Sequence, residues 1–413
     1  MTSARPSRDP AREPLWTASF ILFSLANVAV SAVFYLLVPT MAPFATEAFG
    51  ADPGQAGLAA SIFFFGAVAM RFVAGGIVGK LGLKRSVVLS LAAGALSVAA
   101  YLVVGSLIAL YVVRFVHGCV FAIVQTALTS TVMSSIPVLR RGEGAGWFTA
   151  GLAVMTGLGP AIGFELLSRA GMTWVFVAAV AASLGAFALA GAGVALMKVD
   201  VSRAQPATAG GGGPGSRPSR LSRLLAPEAF SVGIVVACAA VAFACVISFF
   251  ASHVQEAGLE AAVGPYFLAY AAASFVSRPV AGPIQDRRGD AAIFVPALIS
   301  VVIGTLLTAL ATSVPVIVLG GALLGGGYGT LMSAGQASAV NRAGAGRSAQ
   351  AVSSFFLCVD AATGLAPAVL GVFGGALGYP AIFIAGAVTS LIGLIVFVLG
   401  PGRSGRPGFA RQA

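Results

Sequence analysis

The chain has 413 residues, of which 58% are apolar and only 9% charged. A water-exposed surface normally needs ~25% Lys, Arg, Asp and Glu, so this composition excludes a soluble globular protein and makes lipid the main solvent. The net charge of +11 is spread over short loops between apolar runs, which points to anionic lipid headgroups and against nucleic acid as a partner.

Runs such as 20-38, 58-70 and 381-399 approach or reach the ~20 apolar residues with which a helix crosses a bilayer. Splitting the runs at Gly, Pro and charge clusters predicts helices over 18-39, 55-78, 86-106, 108-135, 145-167, 173-196, 229-252, 262-284, 291-311, 314-340, 348-374 and 379-400. The fold class is therefore an all-α membrane protein of 12 transmembrane helices. A tail (1-17) with Arg5, Arg8 and Arg12 precedes the first run. That run is too long for a signal-peptide core and no small-residue cleavage site follows it, so it is expected to stay as helix 1. Cys119, Cys238, Cys245 and Cys358 lie inside apolar runs, with neither CxxC nor Cys/His spacing. They predict no disulfide framework and no metal site.

Between helices 6 and 7 the segment 198-226, with its core AGGGGPGSRPS, buries nothing and reads as a flexible linker. It divides the chain into an N-terminal six-helix bundle (18-197) and a C-terminal one (227-400), followed by a tail (401-413). If both termini are cytoplasmic, 20 of the 24 Lys and Arg fall in loops on the cytoplasmic side and one, Arg169, on the other. Such an excess is the positive-inside pattern of a multi-pass protein of the cytoplasmic (inner) membrane.

The two bundles are related. RFVAGGIVGKLG at 71-82 aligns without a gap to RPVAGPIQDRRG at 278-289, and TGLGPA at 156-161 to TGLAPA at 363-368. Positions 71 and 278, like 156 and 363, are 207 residues apart. Two separated matches in one register indicate a duplication, and six helices per copy keep both copies in one orientation.

GGIVGKLGLKR (75-85) and GPIQDRRGD (282-290) resemble the motif between helices 2 and 3, and its copy between helices 8 and 9, of the major facilitator family. The resemblance spans the membrane part and implies two six-helix bundles that rock about a midplane site. It also implies close helix approach at Gly75, Gly79, Gly82, Gly282 and Gly289. An acid at the helix end and basic loop residues would form a latch on the cytoplasmic side. Asp286 and Arg287 match that pattern in the second half; in the first half Lys80 is present but the acidic position is Gly79. GLAVMTGLGPAIG (151-163) resembles the helix 5 motif of drug and proton antiporters. Gly157, Gly159, Pro160 and Gly163 would then form a small-residue face and a kink against the other half. RFVHG (114-118) and FFLCVDAATG (355-364) look closest to bacterial metabolite and opine-metallophore exporters.

An ionisable group near the bilayer centre costs roughly 2.5 to 3.5 kcal/mol on insertion scales, so each is a functional candidate. Asp360 lies about twelve residues into helix 11, ~18 Å along it at 1.5 Å per residue. Burial disfavours a carboxylate's charged form and a neighbouring guanidinium favours it, so an Asp meeting water and Arg in turn takes up and releases protons. Asp360 is the candidate proton carrier, with Arg71 or Arg278 as partner; a static ion pair holding helix 11 is the alternative. Arg114 is expected to face the cavity and bind an anionic group or tune Asp360. His117, one turn on, is a candidate relay or a hydrogen-bonded structural residue. Asn27, Tyr35, Gln125, Tyr266, Tyr270, Tyr328 and Gln336 complete the substrate-binding candidates.

No phosphate-binding loop of the GxxxxGK type is present, so coupling to an ion gradient, with no cofactor, is expected. The leading reading is a monomeric, proton-coupled exporter of a drug or metabolite; an importer is the alternative within transport. A membrane enzyme or sensor is disfavoured: there is no HExxH motif, no Ser/His/Asp set and no output domain.

Overall fold

The computed structural model describes residues 14-51, 53-197, 224-344 and 346-400. Most of both tails and of the linker lies outside them, with Asp52, Ala345 and the side chains of Gly157 and Pro160.

Twelve long helices account for nearly all of the described chain. The first half holds α1 (Ala18–Phe49), α2 (Pro53–Leu81), α3 (Leu83–Ala99), α4 (Leu107–Ser135), α5 (Arg141–Ala170) and α6 (Met172–Leu196). The second holds α7 (Pro227–Glu256), α8 (Val263–Arg288), α9 (Ala291–Leu310), α10 (Val314–Ala343), α11 (Ser348–Leu377) and α12 (Tyr379–Leu399). The predicted set is thus present, with several ends displaced. Helix α1 runs ten residues past its expected end at 39, to Gly50 at φ 63°. The Thr40 hydroxyl donates to Leu36 O (2.9 Å) and Leu37 O (3.2 Å) there and so stays satisfied within its own helix.

Ten helices are long and apolar enough to cross a membrane; α5 and α8 fall short. Those two carry Arg141 and Glu143, and Arg278, Gln285, Asp286, Arg287 and Arg288, with a high share of Gly in α5 and two Pro in α8. They can be polar because each packs on the other and so turns a face away from lipid. The outer surface is apolar instead: Leu96, Val103, Ile108 and Leu268 are each more than 70% exposed.

Helices alternate in direction, so the start of α1, the end of α12 and the connection from α6 to α7 share one side, the linker face. The halves meet along two seams, α2 on α11 and α5 on α8. In the register of the duplication these are the same contact made twice. A Cβ added to Gly75 would lie 2.9 Å from Gln350 Cα, and one added to Gly282 would lie 2.5 Å from Glu143 Cα; both members of each pair shift by 207 positions. Within the halves, Gly118 lies against the Phe63 carbonyl as Gly325 does against that of Tyr270. The repeat is a repeat of backbone contacts.

The helix 5 glycines point elsewhere than expected. Gly159 lies against Tyr35, and Gly163 against Leu36 and Thr40, so both serve α1 of their own half. Contact with the other half falls to the first turns of α5, where Gly142 meets Gly282 and Gly146 meets the Arg278 carbonyl. Helix α5 is assigned without a break from 141 to 170.

Candidate functional site

Where α2 meets α11, Arg71 reaches across to Asp360. Its Nε donates to Asp360 Oδ2 at 2.7 Å; the Arg71 side chain is 1% exposed and the Asp360 side chain 20%. Arg71 Nη1 donates to Ala122 O and Thr126 Oγ1, both at 2.9 Å, and the guanidinium lies 4.5 Å from the centre of the Phe356 ring. The Ser353 hydroxyl of α11 donates to Arg71 O. The buried cation is thus held by one carboxylate from the other half and by acceptors from its own. Of the two partners expected for Asp360, the structure selects Arg71.

Arg278, the repeat mate of Arg71, is only 3% exposed. Its Nη1 donates to Thr149 O on α5, across the second seam. Tyr35, Tyr270 and Tyr328 lie near enough to interact with it electrostatically. The Thr156 and Thr363 hydroxyls donate to the carbonyls of Leu152 (3.0 Å) and Val359 (2.9 Å) on their own helices. The Phe243 ring stacks on Tyr328 (4.5 Å) and Tyr270 (5.8 Å). Three of the tyrosines predicted for substrate binding therefore gather around one guanidinium, and Tyr328 also senses the charge of Asp360.

Other candidates lie apart from this cluster. Arg114 is wholly buried in the first half: its Nε donates to Ala59 O (3.0 Å), it is hydrogen-bonded to Tyr101, and it lies over the Phe63 ring. The carbonyl and aromatic groups named around it all belong to its own half. His117 bonds Tyr101 Oη through Nδ1 (3.1 Å) and borders a partly open pocket of about 30 Å³ with Val30, Leu91, Phe121 and Ser183. Its neighbours are packing residues, and no relay to Asp360 is formed. Tyr266 belongs to the second half's core, stacked on Phe250 and bonded to Thr308. Asn27 ties α1 to α5 through Phe148 O (3.2 Å). Gln336 is buried on α10, and Gln125 is half-buried on α4.

At the linker face, Asp286 accepts from the backbone N–H of Gly142 (2.8 Å) and Glu143 (3.0 Å) in the first turn of α5. A carboxylate is stabilised there by unpaired N–H groups and by the positive end of the helix. The acidic latch is real in geometry, but its partner is a helix N-terminus of the opposite half. The expected basic residue, Arg287, is exposed, as is Lys80. Gly82 and Gly289 end α2 and α8 with φ of 79° and 83°. In the first seam, Gln350 covers Gly79, where an acid would stand. Ser134 and Ser348 (2.8 Å), and Arg141 and Asn341, add bonds between the halves. These contacts all lie on the linker-face side of Asp360. Thr149, Thr156, Thr363, Gly142 and Gln350 were not singled out from sequence, because their roles depend on contacts with the other half or with neighbouring helices.

A family model for the Major Facilitator Superfamily matches residues 23-306 and 232-412. The human organic anion transporter MFSD10 (TETRAN) is similar in structure, with a TM-score of 0.70 and 17% identity over 93% of this chain and 100% of that one. The major facilitator transporter FucP in an outward conformation gives 0.66 and 17% over 93% and 99%. A variant of the E. coli fucose:proton symporter FucP gives 0.66 and 18% over 92% and 98%. At these identities the likeness is one of fold. The family match over both halves and the duplicated helical frame lead to one conclusion: the chain belongs to the Major Facilitator Superfamily, a multi-pass membrane transporter of small molecules and not an enzyme.

Proposed function

We propose that this transporter exports a small organic compound from the cytoplasm in exchange for protons, with Asp360 as the proton carrier. The observation that carries the reading is the Arg71–Asp360 pair, in which a partly exposed carboxylate of one half meets a buried guanidinium of the other. Charged Asp360 compensates Arg71 across the seam. A proton arriving from the far face removes that compensation, weakens the closed linker face and favours its opening. Release of the proton on the linker side, as substrate enters, restores the pair and the starting state. A ligand that binds the two states differently shifts their balance by its differential affinity, and a proton at this site is such a ligand.

The loop charges support a cytoplasmic linker face, with 20 Lys and Arg against one. Export is favoured by the helix 5 segment 151-163, which resembles that of antiporters. Everted vesicles with an acidic lumen are expected to accumulate the transported compound. In proteoliposomes, Asp360→Asn is expected to abolish compound-driven proton movement while the protein stays folded and monodisperse. Unchanged coupling in that variant would remove Asp360 from the mechanism, and accumulation only by right-side-out cells would make the protein an importer.

A further inference from the structure

The two arginines related by the duplication stand in one backbone frame but not in one electrostatic state. Arg71 has a carboxylate, a carbonyl, a hydroxyl and an aromatic face. Arg278 is equally buried and makes no ion pair among the described residues; one carbonyl, Thr149 O, takes its Nη1, and its Nε has no partner. The repeat position of Asp360 on α5 is Ala153. A guanidinium has five N–H donors in a planar fork, and a buried cation without a counter-charge costs several kcal/mol. Such a residue persists where something else supplies the anion for part of the working cycle.

We propose that Arg278 anchors an anion subsite and that the transported compound carries a carboxylate or a similarly planar acidic group. The proposal rests on the transporter reading and adds the substrate class to it. Tyr35, Tyr270 and Tyr328 are within electrostatic reach of Arg278, and Phe243 stacks on two of them as an apolar wall for the rest of the molecule. Tyr35 and Thr363 are only partly buried. The present acceptor of Arg278, Thr149 O, belongs to the opposite half. Separation of the halves breaks that bond and frees the fork for a bidentate carboxylate. Asp360 is already paired with Arg71, so a bound monoanion would supply the counter-charge that Arg278 has from no described residue.

Binding to the purified protein in nanodiscs tests this without flux, by thermal shift and by equilibrium binding of radiolabelled probes. The probes are benzoate, phenylacetate and octanoate, their amides, and inorganic phosphate. At least one carboxylate is expected to bind and its amide to fail. Loss of one charge-assisted partner is expected to weaken binding at least about tenfold in Arg278→Gln. Ala153→Asp, which places an internal carboxylate where Asp360 stands in the other seam, is expected to compete in the same way. Arg169→Gln, at an exposed pair with Glu165, serves as the control. Binding of no carboxylate, equal binding of acids and amides, or retained binding in Arg278→Gln would each overturn the proposal; tight phosphate binding alone would move the ligand from carboxylates to phosphate. Lost anion binding in Arg278→Gln beside intact proton coupling in Asp360→Asn would retain the subsite and refute the proton mechanism.

Discussion

Arg71 and Asp360 show how much of a buried charge can be read before its surroundings are known. Depth along a helix and the cost of charge in lipid identify both residues, but neither says which way a side chain turns. Arg114 carries the same signal as Arg71 and finds its acceptors within its own half, at Ala59 O and Tyr101. The difference lies in three-dimensional neighbours that no single stretch of sequence displays. The pair also sets an asymmetry that can be measured. Arg71→Gln leaves Asp360 partly exposed and able to rehydrate or protonate, whereas Asp360→Asn leaves a guanidinium that is 1% exposed at its side chain without its counter-charge. Losing one partner of a buried pair costs about 3–5 kcal/mol, and an exposed partner less. Thermal unfolding in detergent is expected to rank Asp360→Asn as the more destabilised, with the double variant Arg71→Gln/Asp360→Asn recovering part of the loss. Additive losses would mean that the pair contributes no coupling.

The helices are legible in the sequence even where the composition is mixed, but there their contact faces are not. Ten of them stand out by hydropathy; α5 and α8 do so only as the interrupted, Gly- and Pro-bearing members of the set. Their Gly residues were legible as close-approach points, but the partner was not, since a helix has several small-residue faces: Gly159 and Gly163 lie on the one toward α1, Gly142 and Gly146 on the one toward α8. The two seams then predict opposite outcomes of two changes. Gly282→Val puts side-chain atoms into the Gly142 carbonyl, which a Cβ alone would approach to 2.4 Å, so the linker face should be driven open. Gly79→Asp places an acid over the first turn of α11, meeting only the movable end of Gln350 at 3.1 Å, and should close that face more firmly. Maleimide labelling of Ser134→Cys from the linker side, in a background lacking the four native cysteines, reports both. Labelling is expected to rise several-fold with Gly282→Val and to fall with Gly79→Asp; equal rates would show that the seams do not control access.

Across the whole molecule, the duplication and the loop charges made two like-oriented bundles legible, because both depend on order along the chain and not on side-chain direction. The seal itself was not legible, since half of each contact comes from the other repeat. One part of it comes from neither bundle's core. Leu224 lies against Gly75 and Gly76 of α2; Arg347 donates to Leu225 O (3.2 Å) and Glu228 (3.0 Å), and Ala226 N–H donates to Ser354 Oγ (2.9 Å). Of the last residues of the linker, Leu224 therefore rests on the first half, while Leu225 and Ala226 are bonded to the second. Each opening of the linker face has to lift Leu224 off α2, as a pawl is lifted from a ratchet wheel. Leu224→Gly is accordingly expected to speed opening, read by the same Ser134→Cys labelling, while lengthening the Gly-rich stretch is expected to leave the rate unchanged; the reverse result would assign the restraint to tether length. The covalent connection is then a moving part, and its timing resides in the three residues nearest α7.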